Sequence, residues 1–289
     1  MRIVQYRDAG KGGVGVAVRR GKDLVAVDTA GAGLPPNLQE ILAHGAPAFE
    51  ALGSLVGRGR LLDESAIDFL PPVMRPGKVI CVGLNYADHV AESPYPTPTY
   101  PTVFPRYATS LVGHRAPIVR PLCSVQLDYE GELLAVVGRR GRHIPAQSAL
   151  DWIAGYACFN EASIRDYQFK TPQWAVGKNF DDTGAFGPEF VTADELPPGA
   201  SGLRIETRLN GETVQSSNTG NLLFDVAAIV SILSEAFTFE PGDLIATGTP
   251  EGVGLFRKPP LFMKHGDCVE VEIEGIGILE NPVRDEVRR

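Results

Sequence analysis

The segment Asp128-Tyr-Glu130-Gly-Glu132 places acidic groups at a spacing that can do chemistry. It runs straight into Leu133-Leu-Ala-Val-Val137, so it opens a buried strand. Side chains alternate faces along a strand, so Glu130 and Glu132 point the same way, roughly 7 Å apart. Two carboxylates at the edge of an apolar core repel each other, and each loses hydration. A divalent cation relieves both costs, and oxygen-only ligation suits Mg²⁺, Mn²⁺ or Ca²⁺. The same spacing also fits two carboxylates turned to solvent on an edge strand.

Other polar clusters follow the same logic. The apolar run from Gly155 ends in Asn160-Glu161-Ala-Ser163-Ile-Arg165-Asp166-Tyr-Gln168. It reads as the start of a helix capped by Asn160 or Ser163, which leaves Glu161 free to face the acidic pair. Arg165 offers the planar fork that grips a carboxylate in two places. A plain surface helix end has the same composition. In Asn85-Tyr-Ala-Asp-His89-Val-Ala-Glu92, histidine and glutamate stand three apart on one helical turn. A carboxylate so placed orients the imidazole and raises its basicity, as a general base requires. Such pairs also occur on ordinary helix surfaces. The proline-rich tract that follows, 93–101, reads as an irregular surface loop able to act as a lid. Lys178 stands alone among apolar and glycine residues, and Thr247-Gly-Thr249-Pro-Glu-Gly-Val-Gly254 forms a tight loop whose N–H groups can face an anion. The run Gly10-Lys-Gly-Gly-Val-Gly15 lacks the Lys-Ser/Thr that closes a phosphate loop, and is read as a hairpin turn.

The elements that must carry these groups are mostly strands. Residues 1–28 alternate apolar and polar positions around glycine turns, which predicts a small meander. Residues 37–58 read as helical, with Leu38, Ile41, Leu42 and Leu52 on an inner face. Between Pro71 and Pro76 there are three prolines in six residues, the best candidate for a boundary. This divides a small N-terminal domain, residues 1–72, from a main domain, residues 73–289. In the main domain, 78–83 and 130–137 read as buried strands. Asn210-Gly211 joins Arg204–Leu209 and 212–216 as a hairpin, and 267–274 pairs with 276–282 around Gly275. The clearest helix is 225–237, with Asp225 as its cap and Val226, Ile229, Val230, Leu233 and Phe237 at helical spacing. The fold class is mixed α/β, predominantly β, without the regular alternation of a Rossmann or TIM fold.

Composition narrows the function classes. A chain of 289 residues that is 44% apolar and 21% charged buries a core without staples. The net charge of −8, with no run of Lys and Arg, argues against nucleic acid. No apolar stretch approaches the roughly 18 residues of a membrane span, so no membrane partner is expected. Cys81, Cys123, Cys158 and Cys268 are scattered among apolar neighbours, and are read as buried thiols in the cytoplasm.

Taken in order, the segments 83–92, 128–132, 161–168, 177–181 and 247–254 resemble the fumarylacetoacetate hydrolase family over some two-thirds of the chain. The resemblance implies that family's fold, a mixed β-sandwich roll. It implies that Glu130, Glu132 and Glu161 bind Mg²⁺ or Mn²⁺, with Ca²⁺ as a further candidate. It makes His89 and Glu92 a water-activating dyad and Lys178 a catalytic group. Arg165, Gln168, Lys178 and Thr249 would hold the 2-oxo-acid end of a small-molecule substrate. The family's third ligand is usually aspartate, and Glu161 is one methylene longer. The implied reaction is C–C hydrolysis of an acylpyruvate-type 2,4-dioxo acid through an enolate, which the dyad favours. Decarboxylation of an oxaloacetate-type acid and isomerisation of a 2-hydroxydienoate use the same enolate. A non-catalytic binding protein is the reading from another class. Specificity is expected from residues 93–107 and 169–173, and the assembly is expected to be a homodimer.

Overall fold

The computed structural model describes residues 1–10 and 12–288. One sheet of twelve strands organises them. From one side it runs Arg60–Leu61, Asp23–Val27, Val14–Arg20, Arg2–Asp8, Gly184–Thr192, Ile153–Glu161, Gly131–Val137, Leu244–Ala246, Val79–Gly83 and Thr102–Arg106. Ile67–Phe69 adds to Arg2–Asp8, and Leu111–Val112 adds to Gly184–Thr192. A five-stranded sheet holds Arg204–Leu209, Glu212–Asn218, Cys268–Ile273, Gly277–Asp285 and Ile118–Arg120. The predominantly β class is therefore correct. Strands from before and after the proline-rich stretch share the large sheet, with Ile3 facing Phe190 across Arg2–Asp8 and Gly184–Thr192.

The interior strand Gly131–Val137 is buried throughout because both of its faces are covered, and beyond Glu132 it is wholly apolar. Leu133, Ala135 and Val137 face one core, shared with Ile205, Val269 and Val271 of the smaller sheet and with Ile229 and Val230 of a helix. Leu134 and Val136 face the other core, with Phe159, Phe186, Leu38, Ile41 and Leu52. Residues 37–58 do not make one helix. They form Leu38–His44 and Ala46–Leu55, separated by Gly45 at φ 68°, a conformation that favours glycine. The predicted helix 225–237 is shorter, Val226–Leu233, with Asp225 Oδ1 accepting from Ala228 N–H at 2.8 Å. Asn210 and Gly211 make the expected turn, both with positive φ. Lys11 of the rejected phosphate-loop run lies outside the described residues; beside it, Gly12 N–H donates to Asp8 O at 2.7 Å in a turn between strands.

Two readings need correction. Cys123 is exposed and Cys268 is half-buried, so only Cys81 and Cys158 are buried thiols. Residues 102–106, counted above with the specificity loop, are a strand at the end of the large sheet. Among the described residues no helix is long and apolar enough to cross a membrane.

Candidate metal centre and acid–base site

Strand parity and pairing build the acidic cluster. Glu132 lies on the same face of its strand as Leu134 and Val136, and Glu161 on the same face as Ala157 and Phe159. The two strands are antiparallel, with Glu132 opposite Phe159. Glu161 N–H then donates to Glu130 O at 2.8 Å, which brings the third carboxylate alongside the first two. All three are at least 96% buried, and one carboxylate oxygen from each lies within 4.8 Å of the others.

Electrostatics separate the members. Burial alone would raise Glu130, but the Lys178 and Arg165 charges outweigh it and hold its carboxyl at about 2. Glu132 goes the other way. Burial pushes it well above the usual carboxylate range, and the charges of Glu161 and Glu130 push further. Glu161 Oε1 is buried without a hydrogen-bond partner. Three crowded acids, one strained towards protonation and one with an orphaned oxygen, fit a divalent cation held by oxygen ligands alone.

Cations and loops frame this cluster. Lys178 ends the short helix Ala175–Lys178, and its Nζ lies 2.7 Å from Glu130 Oε2 and 3.4 Å from Glu161 Oε2. Arg165 donates from Nε to Asp128 Oδ2 at 2.8 Å, and its Nη1 lies 2.6 Å from Glu130 Oε1. Its Nη2 is buried and unpartnered. Gln168 Oε1 accepts from Arg165 Nη1 at 2.8 Å. The helix predicted here is only Arg165–Gln168, and neither Asn160 nor Ser163 caps it. Asn160 Oδ1 accepts from Glu130 N–H instead, at 3.1 Å, and Glu161 closes a strand.

The glycine loop 247–254 does aim N–H groups at anions, but they are the protein's own. Gly248 N–H donates to Glu132 Oε2 at 2.9 Å, Gly252 N–H to Glu92 Oε2 at 3.0 Å, and Gly254 N–H to Asp128 Oδ1 at 2.8 Å. Gly248 sits at φ 103°, and a Cβ there would stand 2.9 Å from Val82 O. Thr249 lines the pocket, yet its hydroxyl already donates to Gly131 O at 3.0 Å and accepts from Gln215 Nε2 at 2.9 Å. A substrate is left one lone pair of that oxygen.

His89 and Glu92 lie on the helix Ala87–Glu92, with His89 Nδ1 2.7 Å from Glu92 Oε1. That contact leaves Nε2 for the pocket, which His89 lines together with Glu130, Glu132, Glu161, Arg165 and Lys178. The pocket volume is about 40 Å³, room for three or four waters at about 10–15 Å³ each. Gln168 and Thr249 line it as well, while Glu92 does not and reaches it through His89. Sequence reasoning missed Asp128 as the anchor of Arg165, Asn85, and the aromatic wall of Phe104, Trp174 and Phe256. Asn85 Nδ2 donates to Thr247 O at 2.7 Å and ties the histidine segment to the glycine loop. Its place in the Asn85–Glu92 segment was the available signal.

Residues 78–284 match the family described as fumarylacetoacetate (FAA) hydrolase, C-terminal. The chain belongs to this family. Oxaloacetate tautomerase FAHD2A, mitochondrial, from Homo sapiens is 39% identical over 288 residues, covering 98% of this chain and 91% of that protein. The fumarylacetoacetate hydrolase from psychrophilic Exiguobacterium antarcticum superposes with a TM-score of 0.86 at 34% identity, covering 99% of this chain and 100% of that one. A 2-hydroxyhepta-2,4-diene-1,7-dioate isomerase from Mycobacterium marinum gives 0.78 at 32% identity, covering 100% of both chains. Members of this enzyme family thus carry hydrolase, isomerase and tautomerase names on one fold.

Proposed function

We propose that the protein catalyses proton transfer at C3 of a small 2-oxo acid, interconverting the enol and keto forms of an oxaloacetate-type substrate. The observation that carries this reading is the single acid–base dyad, His89–Glu92, set on a small pocket beside three clustered carboxylates. The near-full-length similarity to an oxaloacetate tautomerase supports it.

Glu130, Glu132 and Glu161 would hold Mg²⁺ or Mn²⁺. When bound, the cation supplies a Lewis acid that stabilises negative charge on the substrate's 2-oxo oxygen. The protein's own groups do the rest. Arg165 Nη2 and Lys178 bind carboxylate oxygens, with Gln168 fixing the plane of the guanidinium. In the enol-to-keto direction the 2-hydroxyl loses its proton to solvent and His89 delivers a proton to C3 through Nε2; the reverse direction runs both transfers backwards. Glu92 holds Nδ1, stabilises the imidazolium, and is itself held by Gly252 N–H. The setting proposed with this reading is a cytoplasmic homodimer.

A second reading, hydrolysis of an acylpyruvate, uses the same dyad on water. The two are separated by giving Mn²⁺-loaded protein enol-oxaloacetate and acetylpyruvate in parallel. Fast loss of the enol absorbance, lowered about 10²–10⁴-fold in His89→Ala, is the expected result. Cleavage of acetylpyruvate without enol turnover would reverse the order of the two readings. Unchanged enol turnover in His89→Ala would remove the dyad from the mechanism.

A further inference from the structure

Beside the carboxylate trio, and not among the residues that line the pocket, lies a buried cation that the mechanism does not use. Arg106 ends the edge strand Thr102–Arg106, and its side chain is 0% exposed. Three of its donors are fixed by three different segments. Nε donates to Ser110 Oγ at 3.2 Å, Nη1 to Ala162 O at 3.2 Å, and Nη2 to Thr183 Oγ1 at 2.7 Å. Ser110 and Thr183 are themselves held, through donation to Tyr107 O at 2.8 Å and to Phe180 O at 2.7 Å. The guanidinium also lies over the Phe159 ring, 5.7 Å from its centroid. Gly184 leaves room for it, since a Cβ there would stand 3.0 Å from the guanidinium carbon.

A guanidinium buried this deeply needs a counter-charge. Among the described residues the carboxylate within 4.0 Å of Arg106 is Glu161, with Nη1 at 3.8 Å from Oε1. That is too long for a hydrogen bond, so the attraction acts as charge on charge. It falls on a carboxylate oxygen that is buried without a hydrogen-bond partner. The opposite oxygen, Oε2, faces Lys178 at 3.4 Å. Glu161 therefore lies between two buried cations, Arg106 near Oε1 and Lys178 near Oε2. The Nη1 bond to Ala162 O fixes the backbone directly after Glu161 as well.

We propose that Arg106 is a positioning residue: it fixes the Glu161 carboxylate in the geometry that takes a divalent cation, and stops it collapsing onto Lys178. This rests on the reading of the trio as a cation site. Bare electrostatics make the opposite claim, because deleting a positive charge near a cation site should tighten cation binding. The sign of the effect therefore decides between them.

The test measures Mn²⁺ affinity of the full chain by electron paramagnetic resonance, with melting temperature alongside. Arg106→Met is expected to weaken Mn²⁺ binding at least tenfold. Arg106→Lys keeps the charge and loses the three-way fork, and is expected to fall between Met and wild type. In a Glu161→Gln background, Arg106→Met should add little further loss. Tighter Mn²⁺ binding in Arg106→Met overturns the proposal. So does unchanged affinity with a lowered melting temperature, which would make Arg106 structural only. If Arg106→Met does not fold, Arg106→Lys alone decides, and wild-type affinity in that variant counts against the proposal. Absence of Mn²⁺ binding by the wild type would instead remove the cation site itself, a different outcome from any variant effect.

Discussion

At the scale of single residues, the acids divide into those that periodicity reveals and those it hides. Glu130 and Glu132 are legible because a period of two points them the same way, and the structure does bring their carboxylates together, although the strand itself begins only at Gly131. Asp128 obeys the same period, but its role as the anchor of Arg165 is a long-range contact, 37 residues away, that no local pattern encodes. Arg106 is hidden for the same reason, as one cation in a proline-rich tract. Glu132 gives the sharpest residue-level prediction. Its carboxyl is pushed up by burial and then by Glu161 and Glu130, so a neutral amide of the same shape suits the metal-free protein at least as well. Glu132→Gln should lower Mg²⁺ affinity tenfold or more in calorimetry while leaving the metal-free melting temperature equal or higher. The stabilisation that wild type gains from the ion, about 2.7 kcal/mol at a hundredfold excess over Kd, should vanish. A variant that keeps that gain would exclude Glu132 as a ligand.

At the scale of elements, local signals located the strands and turns well and the helices less well. The Asn210-Gly211 turn and the apolar run Leu133–Val137 are short-range features; the turn formed as expected, and the strand expected over 130–137 runs Gly131–Val137. Periodicity overran the helix at 225–237 because Phe237 is apolar at the right spacing yet packs from beyond its end, edge-on to Phe239 with centroids 5.3 Å apart. The segment from Asn160 reads as the start of a helix, whereas the structure ends a strand at Glu161 and makes a helix only of Arg165–Gln168. Strand and short helix share that segment because the carboxylates on either side must face inward. The cap at Asp225 is one of the few side-chain caps on a helix of this fold. Asp225→Ala should cost about 1 kcal/mol in a urea titration, through loss of the acceptor for Ala228 N–H. No change in midpoint would mean that packing of Ile229 and Val230 alone holds the helix.

At the scale of the molecule, His114 joins parts of the chain that sequence alone does not connect. Its ring meets Phe69 edge-on, centroids 4.8 Å apart, and its Nδ1 accepts from Glu280 N–H at 3.0 Å. Burial, helped by the Arg115 charge, lowers its pKa from 6.5 to about 4. The folded protein therefore keeps the ring neutral where the unfolded chain already takes up a proton. The resulting stability is fully present above pH 6.5 and is lost as pH falls towards 4, to the extent of about 3 kcal/mol. His114→Asn keeps an acceptor for Glu280 N–H and cannot titrate. Urea midpoints for this variant should fall less steeply between pH 6.5 and 4 than those of wild type. Parallel slopes would show that His114 is not the group responsible.

The strand Leu244–Ala246 lies between Gly131–Val137 and Val79–Gly83, pairing antiparallel with the first and parallel with the second. Lys78 and Asp243, 165 positions apart, are joined beside it by an ion pair of 2.7 Å. Until residue 246 has been synthesised, the sheet has a gap between Gly131–Val137 and Val79–Gly83, and Val79–Gly83 has no partner on that side. The earlier strands must wait with apolar faces and open edges, since closing so long a loop yields nothing until its last contact forms. Nascent chains that stall short of this strand would be sticky intermediates and clients for chaperones. The glycine loop that follows immediately is what seats Glu132, Glu92 and Asp128. Completion of the sheet and arming of the acidic site are thus one event, late in the birth of the chain.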